Sequence, residues 1–423
     1  MKKLSKIGTF RAFKSRNYQL FFWGQLISRI GMWTQRTAVV WVIYTLTHST
    51  VMIGLTYFAE QFPSFLLSIP GGIVADRYNR YKIMMLTQIA SAIQAIALTV
   101  LVFAGHLVVW QILALSVLLG AINAFDVPAR QPLVHDIIDD RDDLPNAIAL
   151  NSTLNNLSRL IGPALAGILL AKFGADICFL LNALSFAAVI ICLLLMHLPK
   201  HSHPVVKKKM LTDLAEGFRY IRKTKEIRRI LLLLTSVCLL VLPYNTLLPV
   251  YAKVIFNGDS ITFGYLNSFI GLGAVTGAFT LASLKPGSDF KKLLLINTVL
   301  LGISLLFFSY TTYFPLSLAI AVICGFGTMA FVPICNTILQ MESDEHMRGR
   351  VISYFAMAAF GTLPLGSVIT GAISRWVNTP TVIFSQGILA LVIAVLAYRF
   401  LTGKLDAKEE RISALKTDKH SLI

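Results

Sequence analysis

Charge is what this sequence has least of. Only 14% of its 423 residues are Asp, Glu, Lys or Arg, and the acids number 21. Soluble domains carry about 25% charged residues, so a water-soluble globular fold is excluded by want of polar surface. Paired cysteines are missing as well. Cys178, Cys192, Cys238, Cys324 and Cys335 form no CxxC pair and fall in or beside apolar runs, which points to buried free thiols. No HExxH, GxSxG or GxxxxGK[ST] occurs. Zinc hydrolysis, serine catalysis and ATP drive therefore have no visible site, and neither an enzyme nor a cofactor is expected. The acids of the 136–143 loop and the histidines read as solvated groups, with no metal site. No cleavable leader is expected: the first apolar run is too long, carries Arg29 and Arg36, and lacks a small-residue cleavage site.

What remains is apolar, at 56% of the chain. Runs at 18–45, 50–75, 82–104, 107–127, 146–171, 174–198, 230–256, 261–284, 292–311, 314–339, 351–374 and 379–402 mostly reach the roughly 20 residues that span a hydrocarbon core. The expected fold is an all-α polytopic membrane protein of twelve transmembrane helices. The net charge of +17 invites a nucleic-acid reading, but its placement argues otherwise. Of the 38 Lys and Arg, 32 lie in the tails and on the side of the 76–82 turn. Lys172, Lys253 and Arg375 lie on the other side, and Arg29, Arg36 and Arg159 inside spans. Cytoplasmic loops hold the excess of positive charge, so both termini and the 76–82 turn are expected in the cytoplasm, facing anionic lipid. Trp41 and Tyr44 suit an interfacial aromatic belt at the far side.

Polar residues inside the spans mark the candidate site, because a buried intramembrane charge is expensive unless it meets water or a partner. Gln25, Arg29, Met32 and Arg36 recur along one helical face of span one. Glu60 is the one acid well inside a span, and Arg29 is read at similar depth beside it. Whether that makes a static ion pair or a proton or substrate site is left open by the residues. Asn151, Asn155 and Arg159 stripe span five ahead of Gly162-Pro163 and Gly167. Tyr244, Asn245 and Asn336 are the polar candidates of the second half. Residues 199–229 are the one long break, with ten Lys or Arg against three acids and a partly amphipathic pattern. Expected units are a six-helix bundle at 1–200, a basic linker at 201–229, a second bundle at 230–405 and a cytoplasmic tail at 406–423. Weak repeats support the halving: Val127-Pro128-Ala129 is echoed by Val332-Pro333-Ile334, and Gly162-Pro163 by Leu363-Pro364. Paired halves place a binding site between them at mid-membrane.

The chain resembles the major facilitator superfamily over essentially its full length. Gly72, Asp76, Arg77 and Arg80 look like that superfamily's turn between spans two and three. Asn79 stands where glycine is usual and is expected to tolerate positive φ. GQLISRIGMWTQ (24–35), DVPARQPLV (126–134), LPNAIALNS (144–152), RLIGPALAGILL (159–170) and RGRVIS (348–353) resemble a bacterial exporter branch containing the enterobactin exporter and macrolide pumps. The resemblance implies that Asp76 caps the start of span eleven. It implies that Arg80 pairs with Asp126, beside Arg130, as a cytoplasmic latch. Gly162, Pro163 and Gly167 resemble an antiporter motif. The activity implied is proton-driven export of a siderophore, drug or other amphipathic small molecule across the bacterial inner membrane, by a monomer touching only substrate and lipid. A lysophospholipid flippase on the same fold is the alternative, and an intramembrane enzyme or receptor the third reading.

Overall fold

The computed structural model describes residues 8–196, 210–285 and 287–401. The start of the basic arm, the linker lysines at 200 and 207–209, and the tail at 406–423 lie outside the described residues. Among the described residues every regular element is a helix. The first seven are α1 (Arg16–Thr47), α2 (Thr50–Leu66), α3 (Ser68–Arg77), α4 (Arg80–Phe103), α5 (Val109–Ile137), α6 (Leu144–Lys172) and α7 (Ala175–Leu194). After the linker come α8 (Met210–Lys223), α9 (Lys225–Leu240), α10 (Leu248–Val250), α11 (Ser260–Ala282), α12 (Phe290–Tyr310) and α13 (Phe314–Glu342). The chain ends with α14 (Arg348–Ala356), α15 (Thr362–Ile373) and α16 (Thr379–Leu401).

The caps follow from sequence. Ser15 and Ser49 accept hydrogen bonds from the first-turn amides of Tyr18 and Met52, opening α1 and α2. Asn79 does not take positive φ; its φ is −64° and its Oδ1 accepts from the Lys82 amide, so the residue serves as the α4 cap. Prolines set the breaks. Pro63 and Pro70 flank the interruption at Leu67 between α2 and α3. Pro243 and Pro249 sit in the tight 3-10 turn Leu242–Leu247 and in α10, ahead of a π-helical turn at Tyr251–Ile255. Pro364 cannot donate to the carbonyl four residues back, and a second π turn at Met357–Gly361 lies there, between α14 and α15.

Ten helical segments among the described residues are long and apolar enough to cross a membrane. The expected first two spans fall outside that set for separate reasons. α1 is long enough but carries its polar stripe, and α2 stops after 17 residues at the Leu67 break. The burial pattern is that of a helix bundle in lipid. On α4 the polar Thr87, Gln88, Ser91 and Gln94 are buried, while Leu86, Ile93 and Val100 are 66%, 61% and 58% exposed. Trp41 and Tyr44 do not form a belt; both are buried, and Trp41 stacks on Phe263 of α11 with ring centroids 5.6 Å apart.

In the first part, α1 packs on α6 and α7, α4 on α5 and α7, and α2 on α5; in the second, α13 packs on α11 and α12, and α12 on α16. The two parts meet chiefly through α6 against α11 and α2 against α15. Both contacts need glycine. A Cβ on Gly167 would lie 2.7 Å from the Ser260 carbonyl oxygen, and one on Gly54 would overlap the carbonyl of Ser367. Hydrogen bonds tie both seams at the end away from the 76–82 turn: Thr50 Oγ1 donates to the Gly371 carbonyl (2.7 Å) and Ser260 Oγ to that of Gly167 (3.0 Å). The close approaches then run inward to Phe65 on Gly361 and Arg159 on Gly271, about midway. At the basic end, α3 packs on α2, α4 and α5, and α14 on α8, α9 and α13. The seam between the parts is thus sealed at the far end and parted at the basic end. The linker helix α8 docks on the second part, where Arg350 pairs with Glu216 (2.8 Å) and the Tyr220 hydroxyl accepts from the Asp344 amide (3.1 Å).

Candidate functional site

Two polar clusters lie inside the helices, and they differ in access. The first sits where α1, α2, α6 and the second part converge. Arg36 Nε lies 3.2 Å from Glu60 Oε2, and the two side chains are 28% and 18% exposed. The expected Arg29–Glu60 pair is not formed; Glu60 meets Arg36 instead. The Arg36 guanidinium also lies 5.3 Å from the Trp33 ring centroid and 5.7 Å from that of Tyr57. Trp33 takes a second cation, Arg159, at 5.5 Å. Arg159 in turn donates to the Met329 sulfur of α13, so the cluster crosses between the two parts. Tyr244 is fully buried, with its hydroxyl 3.3 Å from Thr328 Oγ1. The result is a cage of two guanidiniums, one carboxylate and two aromatic faces, reachable by solvent. Such a cage favours an anionic or aromatic guest, and one proton on Glu60 raises its net charge by one.

The second cluster lies within the first part, centred on a buried carboxylate. Asp126 is 1% exposed and accepts from Thr87 Oγ1 (2.8 Å) and Gln88 Nε2 (2.9 Å), with Arg130 as its ion-pair partner. Gln25, Arg29, Met32, Gln88, Asn123 and Arg130 border a cavity of about 20 Å³ beside it, room for one water. The Gln88 Oε1 facing that space has no hydrogen-bond partner. Arg29 pairs with no carboxylate among the described residues. Gln25 and Arg29 therefore belong to this cluster and not to the Glu60 cage. The latch expected between Arg80 and Asp126 is not formed: Arg80 lies 3.3 Å from Asp136, and Asp126 is already committed inside the bundle.

The remaining candidates separate further. Asp76 and Arg77 are exposed, and α14 begins at Arg348, after Met347, with no side-chain cap, so Asp76 does not cap it in this conformation. Gly72 faces open space, whereas its neighbour Gly71 takes the close approach to the Ala124 carbonyl. Gly162 packs on Trp33 and Ile30 of α1; Pro163 and Gly167 pack on Gly264 of α11. Asn245 is half-buried in the Leu242–Leu247 turn, and Asn336 half-buried on α13 with an unpartnered Oδ1. Sequence reasoning missed Trp33, Tyr57, Thr328 and Met329 as cage residues. The Trp33–Arg36 spacing of three, one face of a helix, was the available signal.

A multi-pass helical bundle whose two parts close at one end and part at the other, around a polar cage, defines a membrane transporter. The chain belongs to the transmembrane secretion effector family of the major facilitator superfamily, whose profile matches residues 7–421. It is 26% identical over 396 residues to the staphyloferrin A transporter of Staphylococcus aureus, covering 92% of this chain and 97% of that one. It is 21% identical over 386 residues to the multidrug efflux pump Tap of Mycolicibacterium fortuitum, covering 89% and 94%. The crystal structure of a POT family transporter in complex with 5-aminolevulinic acid superposes with a TM-score of 0.73 at 15% identity, covering 91% of this chain and 96% of that one.

Proposed function

We propose that this protein exports a siderophore, drug or similar amphipathic molecule from a bacterial cytoplasm by proton-coupled alternating access. In this reading α1 and the α2–α3 pair complete a set of twelve spans. The halves are 1–200 and 230–405, joined by the 201–229 linker. Both termini and the basic end are cytoplasmic by the charge bias, and the transporter works as a monomer. The conformation is then open to the cytoplasm, ready to load. The observation that carries the reading is the solvent-reachable Arg36–Glu60 pair at the seam between the halves.

The pair supplies a coupling device. With Glu60 ionised, Arg36 is held, and the cage presents one uncompensated cation, Arg159. Protonation of Glu60 releases Arg36 and leaves two guanidiniums beside the Trp33 and Tyr57 faces. Proton and substrate are thus coupled through one electrostatic balance: the added charge repels a cationic group on the guest, as antiport requires, and draws in an anionic one. Siderophore and multidrug pumps among the relatives favour a small-molecule substrate over the lipid alternative.

The test is efflux from cells and uptake into everted vesicles under an imposed pH gradient. In Glu60→Gln, gradient-driven transport is expected to fall by more than about tenfold while counterflow exchange persists, since exchange needs no net proton movement. Wild-type gradient-driven rates in Glu60→Gln would remove the carboxylate from coupling.

A further inference from the structure

A cavity of about 260 Å³ lies on the outside of the second part, between α9 and α16, away from the central cage. Its α9 wall includes Lys225, Arg228, Arg229, Leu232 and Ser236, spaced i, i+3, i+4, i+7 and i+11, so one helical face supplies most of it. Its α16 wall is Ile393, Leu396 and Ala397. The cations all lie at the rim, in the first two turns of α9, and the floor is apolar. Glu226, the acid of that turn, is shared between Lys291 of α12 at 3.0 Å and Arg229 of the rim at 3.9 Å, so the rim keeps an excess of positive charge. Arg228 holds the Arg222 carbonyl at 3.2 Å, which anchors the rim to α8. Leu232 and Leu396 are 60% and 46% exposed, a surface suited to hydrocarbon and not to water.

We propose that this cavity is a binding site for an anionic phospholipid, with the phosphate on Lys225, Arg228 and Arg229 and an acyl chain between α9 and α16. Charge complementarity selects the headgroup. A zwitterionic lipid brings its own cation to a rim that already has three. The apolar floor selects the chain, since a soluble phosphate would leave Leu232 and Leu396 uncovered. The cations in the first turn of α9 are otherwise unfavourable against the helix dipole, and a bound phosphate offsets that cost. Basic pockets between transmembrane helices at the cytoplasmic side bind lipid headgroups on this logic. Placement in the inner leaflet rests on the topology proposed above; binding itself does not.

The experiment titrates phosphatidylglycerol into the purified full chain in detergent micelles and reads bound lipid by native mass spectrometry. Affinity is expected to fall about 25-fold in Lys225→Gln/Arg228→Gln, at about fivefold per cation, and to stay unchanged in Arg141→Gln at an unrelated basic site. Phosphatidylglycerol with a photoreactive acyl chain is expected to label residues 230–236 and 393–397. Unchanged affinity in the double variant, equal binding of phosphatidylcholine, or labelling outside those two stretches would overturn the site. Competition by glycerol 3-phosphate as strong as by the lipid would reassign it to a soluble anion and overturn it too. Micelles have no sidedness, so a wrong topology would leave this result intact, and a failed titration would leave the topology intact.

Discussion

Two carboxylates in the first part do opposite work, and their surroundings decide which does what. Asp126 is buried, with Thr87, Gln88 and Arg130 around it. Removing it leaves a buried guanidinium with no counter-charge, which is expected to destabilise the protein by about 3–5 kcal/mol. Glu60 is partly exposed, so its pair with Arg36 contributes at most about 1 kcal/mol to stability. Thermal unfolding of purified Asp126→Ala and Glu60→Gln in micelles checks the contrast. A steep loss for the first and a near-parental midpoint for the second is expected, and equal midpoints would contradict it. The sequence showed both acids but mispaired them, for one geometric reason. Neighbouring antiparallel helices place residues level by reflection through their turn. α1 ends at Thr47 and α2 begins at Thr50, so Glu60 reflects onto position 37, beside Arg36. Arg29 lies about 12 Å deeper at 1.5 Å per residue. α4 ends at Phe103 and α5 begins at Val109, so Asp126 reflects onto position 86, beside Thr87 and Gln88. Arg80 reflects onto position 132, one turn from Asp136. Side-chain chemistry alone could not make these choices; the turn positions were needed.

At the scale of elements, the seams between the two parts are built from backbone rather than from side chains. Gly167 and Gly264 lie back to back, with the Pro163 carbonyl 2.6 Å from where a Gly264 Cβ would stand. The Gly162-Pro163 and Gly167 pattern was legible as a close-packing stretch. Its partner was not, because a glycine on α11 carries no pattern that names the helix it will meet. The helix breaks were more legible, since Pro63, Pro70, Pro243, Pro249 and Pro364 mark them directly. The polar stripe of α1 was read correctly as an interior face, but it proved to serve two separate clusters. A side chain at Gly264 should wedge α6 from α11. Overpacking of this kind costs about 1–3 kcal/mol, which is a shift of about 5- to 150-fold between open and closed populations. In Gly264→Val carrying Ser260→Cys, labelling by an impermeant maleimide from outside whole cells is expected to quicken by at least about fivefold over Ser260→Cys alone. Ser260 is buried in the present state and holds the Gly167 carbonyl, so unchanged labelling would show that this glycine pair is not the seal.

For the whole molecule, the apolar runs carried the multi-pass helical fold, but no sequence feature states which way the seam opens. Both conformations use the same residues and differ in which contacts are made, so only the structure distinguishes them. Here the far end is tied by Thr50 on Gly371 and Ser260 on Gly167, while α3 and α14 at the basic end pack chiefly on helices of their own parts. That separation explains the exposed Asp76. It also fits an α14 that starts without a side-chain cap, its Arg348 amide donating to the Asp344 backbone carbonyl instead. Closing the basic end would bring the carboxylate to this helix start. Gly72 lies ahead of the 76–82 turn and Gly349 in the first turn of α14, and a side chain at either meets nothing within 4 Å, so both accept cysteine without strain. A disulfide needs Cα atoms within about 7 Å. The Gly72→Cys/Gly349→Cys pair is therefore expected to stay reduced in the present state under mild oxidant. It should cross-link once a pH gradient and substrate populate the closed state, and transport should stop until a reductant is added. Single variants should retain transport with and without oxidant. Rapid cross-linking of the resting protein, or full transport by the cross-linked protein, would mean that the two parts do not close at the basic end during turnover.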